Sequence, residues 1–336
     1  MAESSRDQGL VVVAGAGGFI GGHLVGHLRK LGWSNIRAVD FKPKSEWYQR
    51  HPGVDERVLD LREAAACREA AAGATQIYNL AADMGGMGFI ETHKAECMLS
   101  VLINTHLLMA AKEAGTKRYF FSSSACVYNA DKQVSADVTA LREEDAYPAM
   151  PEDGYGWEKL FSERMCRHFR EDFGLITRMA RYHNVYGPWG TYDGGREKAP
   201  AAICRKVIEA KRSGRHEIEI WGDGEQTRSF MYIGDCLEGS VRLMESGVEE
   251  PVNIGSDELV SINRLVDIAE KIGGVKLQRR YKLDAPKGVR GRNSDNTMVK
   301  RVLGWAPSIK LEDGLEKTYR WIHDQMTGAP AARRAG

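Results

Sequence analysis

The sequence predicts an α/β protein in which a doubly wound parallel sheet is followed by a smaller C-terminal α/β lobe. Short apolar runs of strand type alternate with helical patterns through the first half of the chain, which is typical of a parallel sheet with helices on both faces. A glycine-rich turn directly follows the first of these strands. After about Arg181 the pattern loosens into shorter elements, which indicates the second lobe.

The elements of the first half are expected in alternation. Continuous apolar runs predict strands that are buried on both faces, and longer stretches with helical spacing predict crossover helices. In chain order these are the strand LVVVAG, a helix from about Gly22, the strand IRAVD, a helix near 61–72, the strand QIYNLAA, a helix after Ala95, the strand RYFFSSS, a helix from about Asp153 and the strand LITRMARY.

The second half predicts a helix over 199–211, a strand at EIEIW and helices near Cys236, Ile262 and Glu312. We therefore expect a first domain over 8–182 and a partly interleaved lobe over 183–326. The end of the chain, 327–336, is rich in small residues and arginine, and we expect it to be disordered.

Composition excludes several classes of protein. The chain has 336 residues, of which 43% are hydrophobic and 28% charged, with a formal charge of +1. These values are ordinary for a globular domain, and no apolar run approaches the ~20 residues of a membrane helix. Near-neutral charge disfavours a nucleic-acid partner, because such proteins are usually basic. The six cysteines never form C-x-x-C, and MAESSRDQ does not resemble a signal peptide, so we expect a cytoplasmic protein without a metal site.

The glycine run consists of Gly15, Gly18 and Gly21 in the spacing G-x-x-G-x-x-G, with Phe19 and Ile20 between the last two. It lies between an apolar strand and a helix. Glycines there let the backbone approach a pyrophosphate, whose charge is met by N–H groups at the helix start. The string alone also fits a tight turn that binds nothing.

Asp40 ends the next strand, where a carboxylate accepts hydrogen bonds from the ribose hydroxyls of a dinucleotide. A carboxylate also repels a 2′-phosphate, so NAD is favoured over NADP, although Lys42 weakens that preference. Asp60 and Leu61 close the third strand and either flank the adenine or belong to a surface loop.

Tyr155 and Lys159 are spaced by four residues on a predicted helix, which puts phenol and ammonium on one face. We expect the ammonium to lower the pKa of the phenol toward a value useful for proton transfer. The pair alone is also common on exposed helices. Here it follows Ser124, at a strand end, and the three groups form the proton-handling set of short-chain dehydrogenases.

The chain resembles the extended short-chain dehydrogenases of the nucleotide-sugar epimerase and dehydratase group. This resemblance implies a Rossmann-type fold, with NAD also contacting Leu80, Ala81 and Ala82, and a homodimer. The matching strings cover nearly all of the chain from Leu10 to Gln325; they are NLAADMGGMGFI, SSACVY, RYHNVYGPWGTYDGGREKAPAAICRK, WGDGEQTRSF, PVNIGSDELVS and GVRGRNSDN.

Three features of the resemblance are more specific than the broad group: the string ADMGGMG, the cysteine after Ser-Ala, and the string GGREKAPAA. They resemble the members that invert C3 and C5 of GDP-mannose, giving GDP-L-galactose and in some cases GDP-L-gulose through a transient 4-ketone. A ketone at C4 acidifies the hydrogens at C3 and C5, and inversion then needs a base on one face and an acid on the other. We expect Cys126, as a thiolate with a pKa near neutral, to be the base, and Lys198, its pKa lowered by Arg196, to be the acid. A lone cysteine is otherwise usually a small buried apolar residue, and a loop lysine is usually solvated.

The resemblance also implies a set of residues that hold the nucleotide sugar. Arg228 and Arg292 have the clearest physical case, because guanidinium groups match phosphates, although an ion pair between the lobes is the alternative. The full set is Gly85, Ser124, Ala125, Cys126, Asn184, Glu197, Lys198, Ala199, Lys206, Gln226, Thr227, Arg228 and Arg292.

Other functions fit the same scaffold. A dehydratase usually has a carboxylate beside the serine or threonine, where this chain has Cys126; a 4-epimerase needs no carbon base; and an NAD-sensing binding protein would not need Tyr155 and Lys159. For the homodimer, the expected contact helices are 95–114 and 153–173, with apolar residues Leu99, Leu102, Leu107, Leu108, Phe161 and Met165.

Overall fold

The computed structural model describes residues 9–286 and 288–328. Its main feature is a seven-stranded sheet in the order β11-β6-β5-β4-β1-β2-β3, and every strand pair in it is parallel. The strands of this sheet are β1 Leu10–Ala14, β2 Ile36–Asp40, β3 Asp55–Val58, β4 Ala74–Asn79, β5 Arg118–Ser124, β6 Ile176–Tyr182 and β11 Val252–Ile254. The expected doubly wound parallel sheet is confirmed.

Helices cover both faces of this sheet, because side chains of a strand alternate between the two faces. Val11 and Val13 of β1 belong to a core with α1 (Phe19–Lys30) and α8 (Ile233–Glu245). Leu10, Val12 and Ala14 belong to a core on the other face with α2, α5 and α6. The helices of the first half are α2 Ala64–Ala71, α3 Met87–Thr92, α4 Lys94–Met98, α5 Ser100–Glu113 and α6 Tyr155–Phe173.

The second lobe is built from short strands and longer helices around its own apolar core, to which α7, α9 and α11 contribute. Its helices are α7 Ala199–Ser213, α9 Ile262–Gly273, α10 Thr297–Leu303 and α11 Leu311–Thr327. Its strands form three small sheets: β7 Val185–Tyr186 with β10 Met231–Tyr232; β12 Leu259–Ser261, β9 Thr227–Ser229 and β14 Gly291–Arg292; and β13 Gln278–Lys282 with β8 Glu217–Trp221.

The two predicted units interleave in space. Strand β11 pairs with β6 at the edge of the main sheet, and α8 packs on that sheet together with α1, although both follow residue 182. The domain boundaries stay a prediction. The predicted tail falls mainly on residues 329–336, which lie outside the described residues, as do residues 1–8 of the N-terminal segment.

None of the helices in the described part of the chain has both the length and the apolar character needed to cross a lipid bilayer.

Candidate active site

The site lies at the carboxyl edge of the main sheet, where ligands bind in open parallel α/β folds. A single cavity of about 1300 Å³ extends from the ends of β1, β2, β4 and β5 into the second lobe. Every residue expected to contact the cofactor lines it: Gly15, Gly18, Phe19, Ile20, Gly21, Asp40, Asp60, Leu61, Leu80, Ala81, Ala82, Tyr155 and Lys159.

The glycine loop packs closely between β1 and α1. Gly15 has φ +81°, and a Cβ there would lie 2.9 Å from the backbone nitrogen of Ala81. A Cβ on Gly21 would lie 2.1 Å from the carbonyl oxygen of Gly15. Gly18 differs, because its nearest neighbour would be that same oxygen at 3.2 Å. The first and last glycines are therefore required by the protein itself, whereas the open side of Gly18 faces the cavity.

Asp40 lies at the end of β2 beside this loop. Its carboxylate accepts hydrogen bonds from the backbone N–H groups of Gly17 and Lys42, each at 3.0 Å. Burial raises its pKa. The Lys42 ammonium donates to the carbonyl oxygen of Gly17 at 2.9 Å. A carboxylate at the end of β2, a glycine loop at a helix start and an apolar wall from β4 together fit a dinucleotide such as NAD.

Tyr155 is the first residue of α6, and Lys159 follows one turn later. The Lys159 ammonium lies 5.5 Å from the Tyr155 ring centroid and 3.6 Å from a carboxylate oxygen of Glu158. Burial raises the pKa of Tyr155 well above its usual value. This differs from the expected lowering, because both groups are buried in the protein and Glu158 offsets the lysine charge. Ser124 is the last residue of β5 rather than the residue after it.

Cys126 lies in a single 3₁₀ turn, Ala125–Val127, directly after β5. Its backbone N–H donates to the Ser124 hydroxyl at 3.2 Å, and its side chain lines the cavity although the residue is only 8% exposed. Burial, followed by the carboxylate of Glu152, raises the pKa of the Cys126 thiol to about 12. This differs from the expected near-neutral thiolate, because burial and the Glu152 carboxylate both favour the protonated thiol.

Lys198 caps the start of α7 and also lines the cavity. Burial lowers the pKa of its ammonium, and the charge of Arg292 lowers it further. Arg196, which the sequence indicated as the cause, instead pairs with Asp83 at 2.6 Å and lies over the ring of Phe89 at 3.7 Å. The direction of the shift agrees with the prediction, but its cause does not.

The two expected phosphate-binding arginines are both buried. Arg228 donates to the backbone carbonyls of Thr227 and Val289 at 2.7 and 2.5 Å, and burial lowers its pKa to about 10. Arg292 donates from Nε to Gln133 at 2.6 Å and from Nη1 to the Cys126 sulfur at 3.6 Å. Arg292 therefore lies beside the thiol.

Most of the expected substrate-binding residues line the cavity: Gly85, Ser124, Ala125, Cys126, Asn184, Glu197, Lys198, Ala199, Lys206, Gln226, Arg228 and Arg292. Thr227 is the exception. Its hydroxyl donates to the backbone carbonyl of Ala136 at 2.5 Å, and it does not line the cavity. Strand geometry explains this correction, because Gln226 and Arg228 lie on either side of Thr227, and neighbouring side chains point to opposite faces.

The sequence did not single out several residues in or near the cavity. Trp221 ends β8 and lines the cavity, with the Lys206 ammonium 5.9 Å from its ring centroid. Glu152 lies behind Cys126, in the segment before α6. The only signal for it was a carboxylate three residues before Tyr155. His23 and His27 are one turn apart on α1, but His23 bonds to the Pro188 carbonyl at 2.9 Å, and in the described ranges no three His, Cys, Asp or Glu side chains are grouped to hold a metal.

With this geometry in place, comparison with known proteins defines the class. Residues 11–255 match the NAD dependent epimerase/dehydratase family, and the chain belongs to that family. It is 46% identical to GDP-mannose 3,5-epimerase 1 of Oryza sativa subsp. japonica over 94% of this chain and 82% of that protein.

Solved structures agree on the fold. UDP-glucose 4-epimerase of Thermotoga maritima, solved with UDP-glucose, superposes with a TM-score of 0.84 at 24% identity, over 94% of this chain and 99% of that one. MoeE5, solved with UDP-glucuronic acid and NAD, superposes with a TM-score of 0.79 at 28% identity, over 94% of this chain and all of that one (100%).

Proposed function

We propose that this protein is an NAD-dependent epimerase that inverts GDP-D-mannose at C3 and C5 to give GDP-L-galactose, with GDP-L-gulose as the product of inversion at C5 alone. The observation that carries the proposal is one cavity lined by both a Tyr155–Lys159–Ser124 set and a second pair of proton-transfer groups, Cys126 and Lys198. The similarity to a GDP-mannose 3,5-epimerase supports the choice of substrate.

The first half of the site holds the cofactor and begins the reaction. The glycine loop binds the pyrophosphate, and Asp40 binds the adenosine ribose. NAD bound there would supply reversible hydride transfer at C4 of the sugar. Tyr155 takes the proton of the C4 hydroxyl as the ketone forms, with Ser124 hydrogen-bonded to the same oxygen. The Lys159 ammonium, 5.5 Å from the Tyr155 ring centroid, favours the phenolate that takes this proton and so acts against the burial that raises the pKa of the phenol.

The second half of the site exchanges protons at carbon. In a chair of D-mannose the hydrogens on C3 and C5 are axial on the same face, so one base and one acid serve both positions. Between the two inversions a proton returns from the protonated base to the deprotonated acid, which restores the pair. Burial acts in the direction of a neutral Lys198 and a protonated Cys126, and in that state the amine takes the proton from carbon while the thiol gives its proton to the opposite face of the enolate. These roles are the reverse of those expected from the sequence. Arg228 binds the diphosphate.

A direct test is to incubate the purified protein with GDP-mannose and examine the nucleotide sugars by mass spectrometry and NMR. The proposal predicts products of unchanged mass whose ring couplings show inversion at C5, or at C3 and C5. Loss of water identifies a dehydratase, and inversion at C4 alone identifies a 4-epimerase. UDP-glucose serves as the matched control substrate and is expected to remain unchanged.

We also propose that the protein is a homodimer. Leu102 in α5 and Phe161 in α6 are 38% and 51% exposed, which supports a contact with a second copy, whereas Leu99, 47% exposed in the turn before α5, lines the cavity. Leu107 and Leu108, also expected there, are instead buried in the core between α5 and the sheet. All six cysteines are buried and unpaired, which suits a reducing compartment, and we propose a cytoplasmic location.

A further inference from the structure

The carboxylate of Glu152 lies directly behind Cys126. The backbone N–H of Glu152 donates to the carbonyl oxygen of Cys126 at 3.0 Å, which ties the two residues together. The Glu152 side chain is only 13% exposed. Neither of its carboxylate oxygens has a hydrogen-bond partner among the described residues. A buried carboxylate in this condition is costly, so its charge must be balanced nearby.

Arg292 supplies that balance and connects Glu152 to the thiol. Its Nη2 lies 3.5 Å from Oε1 of Glu152, and its Nη1 lies 3.6 Å from the sulfur of Cys126. Gln133 accepts from Nε at 2.6 Å and so holds the guanidinium plane in place. Glu152 is not among the residues that line the cavity, whereas Cys126 and Arg292 are. Glu152 must therefore act through these two neighbours.

The charged and titratable groups that face the sulfur come from five parts of the chain: Glu152 before α6, Tyr155 in α6, Lys198 at the start of α7, Arg228 in β9 and Arg292 in β14. The two arginines favour a thiolate, whereas the carboxylate opposes it. Without the Glu152 carboxylate, the guanidinium groups of Arg228 and Arg292 would remain buried near the Cys126 thiol, and none of the five groups would carry a negative charge.

We propose that Glu152 is a positioning residue that pairs with Arg292 and determines which of Cys126 and Lys198 holds the proton that this pair exchanges with the sugar. One proton is shared by the two groups, either as thiol and amine or as thiolate and ammonium, with the same total charge. A carboxylate beside the sulfur favours thiol and amine. The proposal deepens the proposed function, on which its catalytic meaning rests.

Electrostatic directions agree with this geometry. Burial raises the pKa of Glu152, but Arg292 and Cys126 together outweigh burial, and the pKa is lowered overall. Glu152 is therefore a carboxylate at neutral pH. Its charge is the second cause, after burial, of the raised pKa of Cys126. Removing that charge leaves the Arg292 cation beside the sulfur and lowers the pKa of Cys126 toward its usual range, whereas burial, the largest cause of the raised pKa, remains.

The test is the rate at which iodoacetamide alkylates Cys126 as a function of pH, followed by mass spectrometry of the Cys126 peptide. Only a thiolate reacts at an appreciable rate, and Cys126 is the only cysteine that lines the cavity, as all six cysteines lie in the described ranges. Glu152→Gln is expected to increase the rate at neutral pH by about tenfold or more, because an adjacent charge shifts a pKa by about 1–3 units. The pH midpoint is expected to move down by a corresponding amount.

Three variants make the result specific. Glu152→Asp keeps the carboxylate but shortens the side chain, which moves the charge away from Arg292. The alkylation rate of Cys126 in this variant is expected to lie between those of the wild type and Glu152→Gln. Glu144→Gln removes an exposed carboxylate from the same segment of the chain and is expected to leave the rate unchanged. Cys126→Ser removes the labelled position. If Glu152→Gln is too unstable to isolate, the comparison of Glu152→Asp with the wild type decides the question.

Unchanged alkylation rates in both Glu152 variants would overturn the inference, as would an equal increase in Glu144→Gln. This readout needs neither cofactor nor sugar. A protein that does not convert GDP-mannose but shows the expected shift would therefore contradict the proposed function and leave the role of Glu152 supported. Conversion of GDP-mannose with unchanged alkylation rates in the Glu152 variants would support the proposed function and contradict the role of Glu152.

Discussion

The two halves of the cavity are assembled in different ways. On the cofactor side, the glycine loop, Asp40 and Ser124 lie at the carboxyl ends of β1, β2 and β5 of the same parallel sheet. On the substrate side, Lys198 comes from a helix start, and Arg228 and Arg292 come from strands of two or three residues in a small sheet. The cofactor side is therefore set by the main sheet, and the substrate side is set by packing between lobes.

Their electrostatics differ as well. On the cofactor side, Asp40 accepts two backbone N–H groups, and Oε2 of Glu158 has no hydrogen bond among the described residues but lies 3.6 Å from the Lys159 ammonium. On the substrate side, Oε1 of Gln226 is buried with no hydrogen bond among the described residues. Unpaired buried atoms are costly, so they indicate where a ligand completes the structure. The substrate side is thus organised for groups that the protein alone does not supply.

The largest effect is expected when the cofactor side loses its proton acceptor. Tyr155→Phe removes the hydroxyl that takes the C4 proton, so no ketone forms and the hydrogens on C3 and C5 stay unreactive. Both NADH formation and deuterium uptake from heavy water should fall by about 10²–10⁴-fold. Tyr147→Phe, which changes an exposed tyrosine, is the matched control. Deuterium uptake that persists in Tyr155→Phe would contradict the dependence of one half on the other.

Cys126→Ala should affect the substrate side alone. Oxidation at C4 remains available, so NADH appears transiently, whereas inversion at C3 and C5 should fall by about 10²–10⁴-fold because its proton donor is gone. If the thiol is the acid, Lys198 still removes the carbon proton and returns solvent deuterium to the same face, so label enters without inversion. If deuterium uptake and inversion are both lost, the thiol is the base instead. Near-normal inversion would show that Cys126 has neither role.

Gly18→Val should empty the cofactor side with little cost to the fold. The backbone of Gly18 has φ −85°, and only the Gly15 carbonyl lies near the position of its Cβ, at 3.2 Å. The added side chain projects into the space expected for the pyrophosphate. The NAD content of the purified protein is expected to drop several-fold, measured after acid release, while the melting temperature changes little. Gly247→Ala, with no atom within 4 Å of the new Cβ, is the control. Stoichiometric NAD in Gly18→Val would remove the loop from the cofactor site.

The smallest effect on chemistry is expected from the dimer surface. Leu102→Glu combined with Phe161→Glu places charges in the proposed contact without touching the cavity. Sedimentation should change from a dimer to a monomer at micromolar concentration, whereas the rate per protein chain should change little. The exposed Val134 provides the control substitution Val134→Glu. A monomeric wild-type protein would end the dimer proposal.

Sequence reasoning was most successful where function is encoded in consecutive residues. The glycine loop, Asp40 and the Tyr155–Lys159 pair could be placed from the sequence, because a parallel strand and its following turn determine their positions. The failures depend on burial and on contacts between distant segments. The pKa of Cys126 is raised by burial and then by Glu152, and it is opposed by Arg292, which lies far away along the chain. Thr227 was expected in the substrate-binding set from the family resemblance, but strand alternation turns it away from the cavity that Gln226 and Arg228 line.

The central claim is that one site joins redox chemistry at C4 to proton exchange at C3 and C5. The most direct measurement is incubation with GDP-mannose in heavy water, followed by NMR of the recovered sugars at early and late times. We predict deuterium at both C3 and C5 in the doubly inverted product, deuterium at C5 in the singly inverted product, and no loss of water. Inverted sugars that retain protium at C3 and C5, or a product that has lost water, would contradict the account.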